Sequence, residues 1–234
     1  MISNKILVSV LYLLFISGCS THMTTVEYEG NGENAAVGTP SVGQVVVSDN
    51  RGTDGNWLGA IRGGYGNRLK TLRTAESTDL MVDKMYTTAL EKAGILDTSD
   101  SAPYQLSVQI TKFDCSYYFN REAHAHVDVS LKQVSNRAIR FKKSYKTDLT
   151  EGGVGAGIFG DVDTLRDLAE EAMNQTIDKM LGDSEFIESL TVQPTATESL
   201  DSAARLEELK SIYEQGLLTE EEYQEKRKSI LSRI

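Results

Sequence analysis

Hydrophobic positions change period several times between residues 43 and 190, and each change marks an element. Gln44-Val45-Val46-Val47-Ser48 is a short apolar run that ends in Asp49-Asn50-Arg51-Gly52-Thr53-Asp54-Gly55-Asn56, so it reads as a strand and a turn-rich segment, with a loop continuing to about Arg73. Thr78 and Asp79 then open a helix. Its Val82, Met85, Tyr86, Ala89 and Ala93 share one face, and Gly94 stands where a left-handed residue ends a helix. Period two takes over from Tyr104 to Asn120. Leu106, Val108 and Ile110 alternate before the phase shifts to Phe113, Cys115 and Tyr117, which predicts a bulge near Lys112. Ala125, Val127, Val129 and Leu131 continue the alternation, followed by Ile139, Phe141 and Tyr145 beyond a turn at Ser135-Asn136-Arg137. Asp163 opens a second helix to Leu181 with Leu165, Leu168, Ala169, Ala172, Met173, Ile177 and Met180 as its stripe and Gly182 after it. The order strand, helix, three strands, helix predicts an α+β fold, a mainly antiparallel sheet of about four strands with two helices packed on one face.

Outside this region the regular periods stop or change character. Residues 19–42, with Gly30, Gly32, Gly38 and Pro40, read as a flexible tether, and residues 191–202, around Pro194, as a linker. In 203–234 a helical stripe of Leu206, Leu209, Ile212 and Tyr213 is broken at Gly216-Leu217-Leu218. Thr219-Glu220-Glu221-Glu222 forms a capping box that starts a second helix carrying Tyr223, Arg227, Ile230 and Leu231. This C-terminal helical hairpin, at about 30 residues, is too short to bury a stable core alone. Leu206, Leu209, Ile212, Tyr213, Tyr223, Ile230 and Leu231 therefore call for a partner surface: a second copy, the central domain or another envelope protein. A passive helical cap is the alternative.

At the other end, Lys5 precedes an apolar run from Ile6 to Ile16 that closes on Ser17-Gly18-Cys19. The run falls short of the roughly 20 apolar residues of a spanning helix and has the order of a secretory signal over residues 1–18. Ile16-Ser17-Gly18-Cys19 resembles the bacterial lipobox, with Ile16 where Leu is usual. The resemblance implies that Cys19 heads the mature chain, bears diacylglycerol on its sulfur and takes a further acyl chain, such as palmitate, on its amino group. Two or more chains anchor stably where one does not. The alternative is a secreted protein in which Cys19 is incidental. Inner-membrane lipoproteins of enteric bacteria carry Asp after this cysteine, and Ser20 stands here instead. By that rule the expected location is the periplasmic face of the outer membrane of a Gram-negative cell.

The net charge of −10, one unit more negative once Lys5 is removed, argues against nucleic acid and against attraction to anionic headgroups, which leaves the lipid as the membrane attachment. With Cys19 acylated, Cys115 is the remaining thiol and no intrachain disulfide can form. Its place among alternating aromatics makes it a buried small hydrophobe, with a disulfide to another chain as the alternative.

Asp49-Asn50-Arg51, Ala93-Gly94, Leu106-Ser107-Val108-Gln109-Ile110, Ser144-Tyr145 and Glu151-Gly152 together resemble YajG-type lipoproteins over residues 43–190. The layout is also similar to LptE-like outer-membrane lipoproteins, in which helices pack on one sheet face. In the tail, Arg205-Leu206-Glu207-Glu208-Leu209-Lys210, Gly216 to Tyr223 and Lys226 to Leu231 resemble the SHOCT module, which implies a short helical pair that mediates association.

Two clusters invite chemistry. His124, His126 and Asp128 alternate with inward residues, so they share the outer face of one strand and could hold a divalent metal, although three polar groups on such a face need none. Arg62, Gly63, Gly64 and Gly66 could form a backbone nest for an anion, or simply a loop that needs positive backbone angles. The run Gly152 to Gly160 lacks the Lys-Ser/Thr of a phosphate-binding loop and reads as a connector. No spacing suggests a nucleophile with its base, so no catalytic residue and no cofactor is expected. The expectation is a non-enzymatic outer-membrane lipoprotein that organises or assembles the envelope through protein association. Its rival is a carrier holding a lipid-like ligand between sheet and helices, which would require an apolar cavity there.

Overall fold

Seven strands form one mixed sheet in the computed structural model, which describes residues 20–30, 41–99, 101–152, 161–190, 206–215 and 218–231. The expected signal at 1–18, Cys19, residues 31–40, most of the second glycine run and the 191–202 linker lie outside the described residues. The strands are β1 (Ser20–Thr24), β2 (Val42–Asp49), β3 (Trp57–Arg62), β4 (Arg68–Thr74), β5 (Tyr104–Tyr117), β6 (Arg121–Gln133) and β7 (Ile139–Glu151), in the spatial order β1-β4-β3-β5-β6-β7 with β2 also on β5. Helices α1 (Thr78–Lys92), α2 (Val162–Leu181) and α3 (Ser184–Leu190) accompany the sheet. The tail, a separate unit from Val192 onward, carries α4 (residues 206–214) and α5 (Glu220–Leu231). No helix among the described residues is long and apolar enough to cross a membrane.

The expected meander is present: β5, β6 and β7 are antiparallel neighbours in register, with Leu106 opposite Leu131 and Val127 opposite Tyr145. The phase shift is accommodated where expected. Thr111 is the extra residue between Ile110 and Lys112, and it returns Phe113, Cys115 and Tyr117 to the inner face. Gly94, at φ +68°, follows α1, and α2 stops at Gly182. Inward side chains of the sheet join Val82, Met85 and Tyr86 of α1 and Leu165, Ala169 and Met173 of α2 in one core, and Phe186 of α3 closes it edge-on against Phe141 at 5.6 Å.

The sheet is larger and less antiparallel than the sequence predicts. The other edge of β5 is shared, since β2 runs parallel to its first half, from Val45 beside Leu106 to Asp49 beside Ile110, and β3 runs parallel to its last three residues. A parallel return needs a long crossover, and the chain between β2 and β5, including α1, provides it. The expected loop to Arg73 is in fact the β3–β4 hairpin. Gly59 there is a strand residue: a Cβ on it would lie 2.1 Å from the Cys115 carbonyl oxygen, so only glycine lets β3 approach β5.

The tether expected over 19–42 is absent from its described start. Ser20–Thr24 lie parallel to β4, with Ser20 beside Lys70 and Thr24 beside Thr74. Val26 and Tyr28 follow, 1% and 5% exposed. The Tyr28 hydroxyl donates to Asp178 of α2 at 2.6 Å, Asn174 and Glu170 of α2 accept from the backbone of residues 29 and 27, and Lys92 of α1 donates to the Gly30 carbonyl at 3.1 Å. Both helices thus hold the chain that follows Cys19.

Candidate functional site

The seam between β2 and β3 on the edge of β5 is filled by one side chain. The Arg51 guanidinium, 4% exposed, donates two bonds to Asp49 at 2.8 and 2.7 Å, and further bonds to the carbonyls of Trp57 (2.8 Å) and Phe113 (2.6 Å) and to the Thr78 hydroxyl (2.9 Å). Burial pushes the Asp49 carboxyl up, but the hydrogen bonds and charge of Arg51 more than reverse this and hold it below its ordinary value. This is a structural pin that joins β2, β3, β5 and α1 where no strand can pair.

On the open face of the sheet the candidate metal trio is rearranged. Asp128 does not face the histidines: its carboxylate accepts from the Ser144 hydroxyl at 2.5 Å, because those two residues are register partners. The third member is Asp148, the cross-strand partner of His124. His126 Nε2 lies 2.9 Å from Asp148 Oδ1, and His124 Nδ1 is hydrogen-bonded to the same oxygen. One ligand atom from each lies within 4.8 Å of the others. These bonds, first from His124 and then from His126, hold the Asp148 carboxyl below its ordinary value. Two imidazoles and a carboxylate can bind a transition metal. Here, however, both rings already have a partner, and Lys112 and Lys146 flank His126 on the neighbouring strands.

Arg62, Gly63, Gly64 and Gly66 form the tip of the β3–β4 hairpin. The Gly63 amide donates to Asn67 and the Gly66 amide to Gly63, at 2.9 and 2.8 Å, while Arg62 donates to the Gly66 carbonyl at 3.2 Å. Two of the amides that an anion nest would use, those of Gly63 and Gly66, are thus engaged within the turn. Cys115 is buried, and its thiol, pushed up by burial and the nearby Asp114 charge, points at the Leu58 carbonyl at 3.6 Å. A disulfide to another chain has no access to it.

The space between sheet and helices is filled by Met81, Met85, Tyr86, Phe113 and their neighbours, each at most 1% exposed. A cleft of about 860 Å³ opens instead at the end of the sheet, between Gln44, Tyr104, Val134 and Arg137. That cleft lies outside the layer between sheet and helices, where the carrier reading places its ligand.

In the tail, the capping box is made as expected: the Glu222 amide donates to Thr219 Oγ1 at 3.3 Å and the Thr219 amide to the Glu222 carboxylate at 3.0 Å. Leu206, Leu209, Ile212 and Tyr213 lie on α4, and Tyr223, Ile230 and Leu231 on α5. The rings of Tyr213 and Tyr223 stack on each other at 4.6 Å, so these two close the hairpin instead of awaiting a partner.

Residues 204–231 match the family model of the Short C-terminal domain, SHOCT. No curated protein matches the sequence. Among solved structures, protein XCC0632 from Xanthomonas campestris, of family DUF330, is similar over 72% of this chain and 96% of its own, with a TM-score of 0.54 and 15% identity. A putative lipoprotein from Caulobacter crescentus CB15 is similar over 51% of this chain and 88% of its own, with a TM-score of 0.39 and 17% identity. The first likeness shows a shared fold; the chain also carries a match to the short C-terminal domain at its end.

Proposed function

We propose that this chain is a lipid-anchored envelope protein, acylated at Cys19, that works by protein association and without catalysis. The observation that carries the reading is the sequence Ile16-Ser17-Gly18-Cys19 at the end of a short apolar run, joined to a fold that enters its sheet at the next residue, Ser20. A mature chain beginning at Cys19 would keep every described contact. Ser20 favours the outer membrane, facing the periplasm of a Gram-negative cell. The C-terminal hairpin, which matches the SHOCT model, would supply the association surface through the partly exposed Leu206, Ile212 and Ile230, to a second copy or another envelope protein, whereas Leu209 is 7% exposed and already buried. Its absence of catalysis is supported by the use of shifted acids in structural pairs such as Asp49–Arg51 and Asp183–Lys143. Incorporation of labelled palmitate and flotation with outer-membrane vesicles test the anchor. Both should vanish in Cys19→Ser, and labelling that survives this change would refute it.

A further inference from the structure

The geometry points to a membrane-docking end of the sheet, formed by the β3–β4 and β5–β6 turns, which rests on the bilayer that holds the Cys19 lipid. This rests on the lipoprotein reading and deepens it.

Three placements converge. Cys19 is bonded to Ser20, so its Cα lies within about 3.8 Å of that of the first residue of β1. β1 is parallel to β4 with Ser20 beside Lys70, so the N-terminal end of β1 lies on the side of the β3–β4 turn. That turn lies three residues further along, roughly 10 Å at the rise of a strand. β3 is parallel to the end of β5, with Ile61 beside Tyr117, which brings the β5–β6 turn to the same end. The two turns are tied together, as the Tyr118 hydroxyl donates to the Gly64 carbonyl at 3.0 Å.

The chemistry of this end differs from that of the rest of the chain. Tyr65 at one tip is fully exposed and Phe119 at the other is 69% exposed. The turn end of the hairpin carries Arg62, Arg68 and Lys70 and no acidic residue, in a chain of net charge −10, while Arg73 at its other end pairs with Asp54 and, beside the β5–β6 turn, Arg121 pairs with Glu151. Exposed aromatics beside cations match the boundary between headgroups and acyl chains of an anionic bilayer. The missing tether leaves little alternative, because a lipid attached one residue before an edge strand holds this end at headgroup level.

The test uses full-length protein processed by the cell. Tyr65→Cys, Phe119→Cys and, at the far end of the sheet, Val134→Cys each carry an environment-sensitive fluorophore, while buried Cys115 stays unlabelled. Intact mass reports the acyl chains at Cys19 in the same samples. In vesicles of phosphatidylethanolamine and phosphatidylglycerol, labels at 65 and 119 should shift to the blue and be quenched several-fold more by brominated acyl chains than the label at 134. Equal, weak quenching at all three positions with acyl chains present overturns docking and leaves the lipoprotein reading intact. A mass without acyl chains overturns the lipoprotein reading, and the inference falls with it. A blue shift at 65 and 119 that grows with protein concentration in lipid-free Cys19→Ser protein assigns the tips to a second copy and also overturns docking.

Discussion

Arg51 meets Asp49 in a bidentate pair, with Nε and Nη2 at 2.8 and 2.7 Å from the two carboxylate oxygens, and its remaining nitrogen reaches the carbonyl of Phe113 on the strand that β2 has just left. At that point β2 has ended its pairing at Ile110 and β3 begins only at Cys115. The guanidinium stands in for the missing strand, and it needs its planar fork to do so.

Arg51→Ala should destabilise the domain by about 2–4 kcal/mol, since it leaves a partly buried carboxylate and two carbonyls without their donor. Arg51→Lys should lose most of the same stability because a point charge cannot reach both Asp49 oxygens and the carbonyls. Urea unfolding measures both. A lysine variant as stable as the parent would show that charge, not geometry, holds the seam.

The same pair sets an acid limit. The folded Asp49 carboxyl lies below its unfolded value, so the native state binds fewer protons than the unfolded state as pH falls. Its contribution is complete above the unfolded value of about 4 and is lost as pH falls through the folded value. Urea midpoints measured at decreasing pH should therefore decline below about pH 4. The decline should be shallower in the double variant Asp49→Leu with Arg51→Met.

Gly59→Ala should destabilise by about 1–3 kcal/mol, as overpacking does. The obstruction is the backbone carbonyl of Cys115, so adding Cys115→Ala should not restore the loss. Recovery in the double variant would place the conflict at the sulfur instead, which lies 2.6 Å from the same imagined Cβ.

Zinc should leave the melting temperature unchanged. His124 and His126 both bond Asp148, and the two flanking lysines oppose a dication. A rise in melting temperature that disappears in His124→Ala would establish a metal centre on this face.

Deleting residues 200–234 should reduce the light-scattering mass to that of a monomer if the tail joins two copies. A monomer mass in both forms removes self-association and leaves the central domain, another envelope protein or a passive cap.

The elements that were legible in the sequence are those whose period repeats often enough to be unambiguous: the β5–β7 meander with its bulge, α1, α2 and the capped tail hairpin. The β3–β4 hairpin was hidden because Gly59, Gly63, Gly64 and Gly66 read as loop, although Gly59 answers to a close approach from a strand 56 residues later. β1 was hidden for another reason. Ser-Thr-His-Met-Thr is a polar edge strand without alternation, and only its pairing with β4 reveals it. In the histidine cluster the strand and the face were readable, but the acidic partner was not. Asp128 shares the strand, whereas Asp148 shares the register, and register between strands is a property of the folded sheet.

Five consecutive register pairs join β1 to β4, beginning at the residue after Cys19. If Cys19 carries the proposed lipid, drag on it that acts along β1 would load these pairs in shear, all at once, and not peel them one by one. On that proposal a strand of five mostly polar residues would be the mechanical coupling between bilayer and domain.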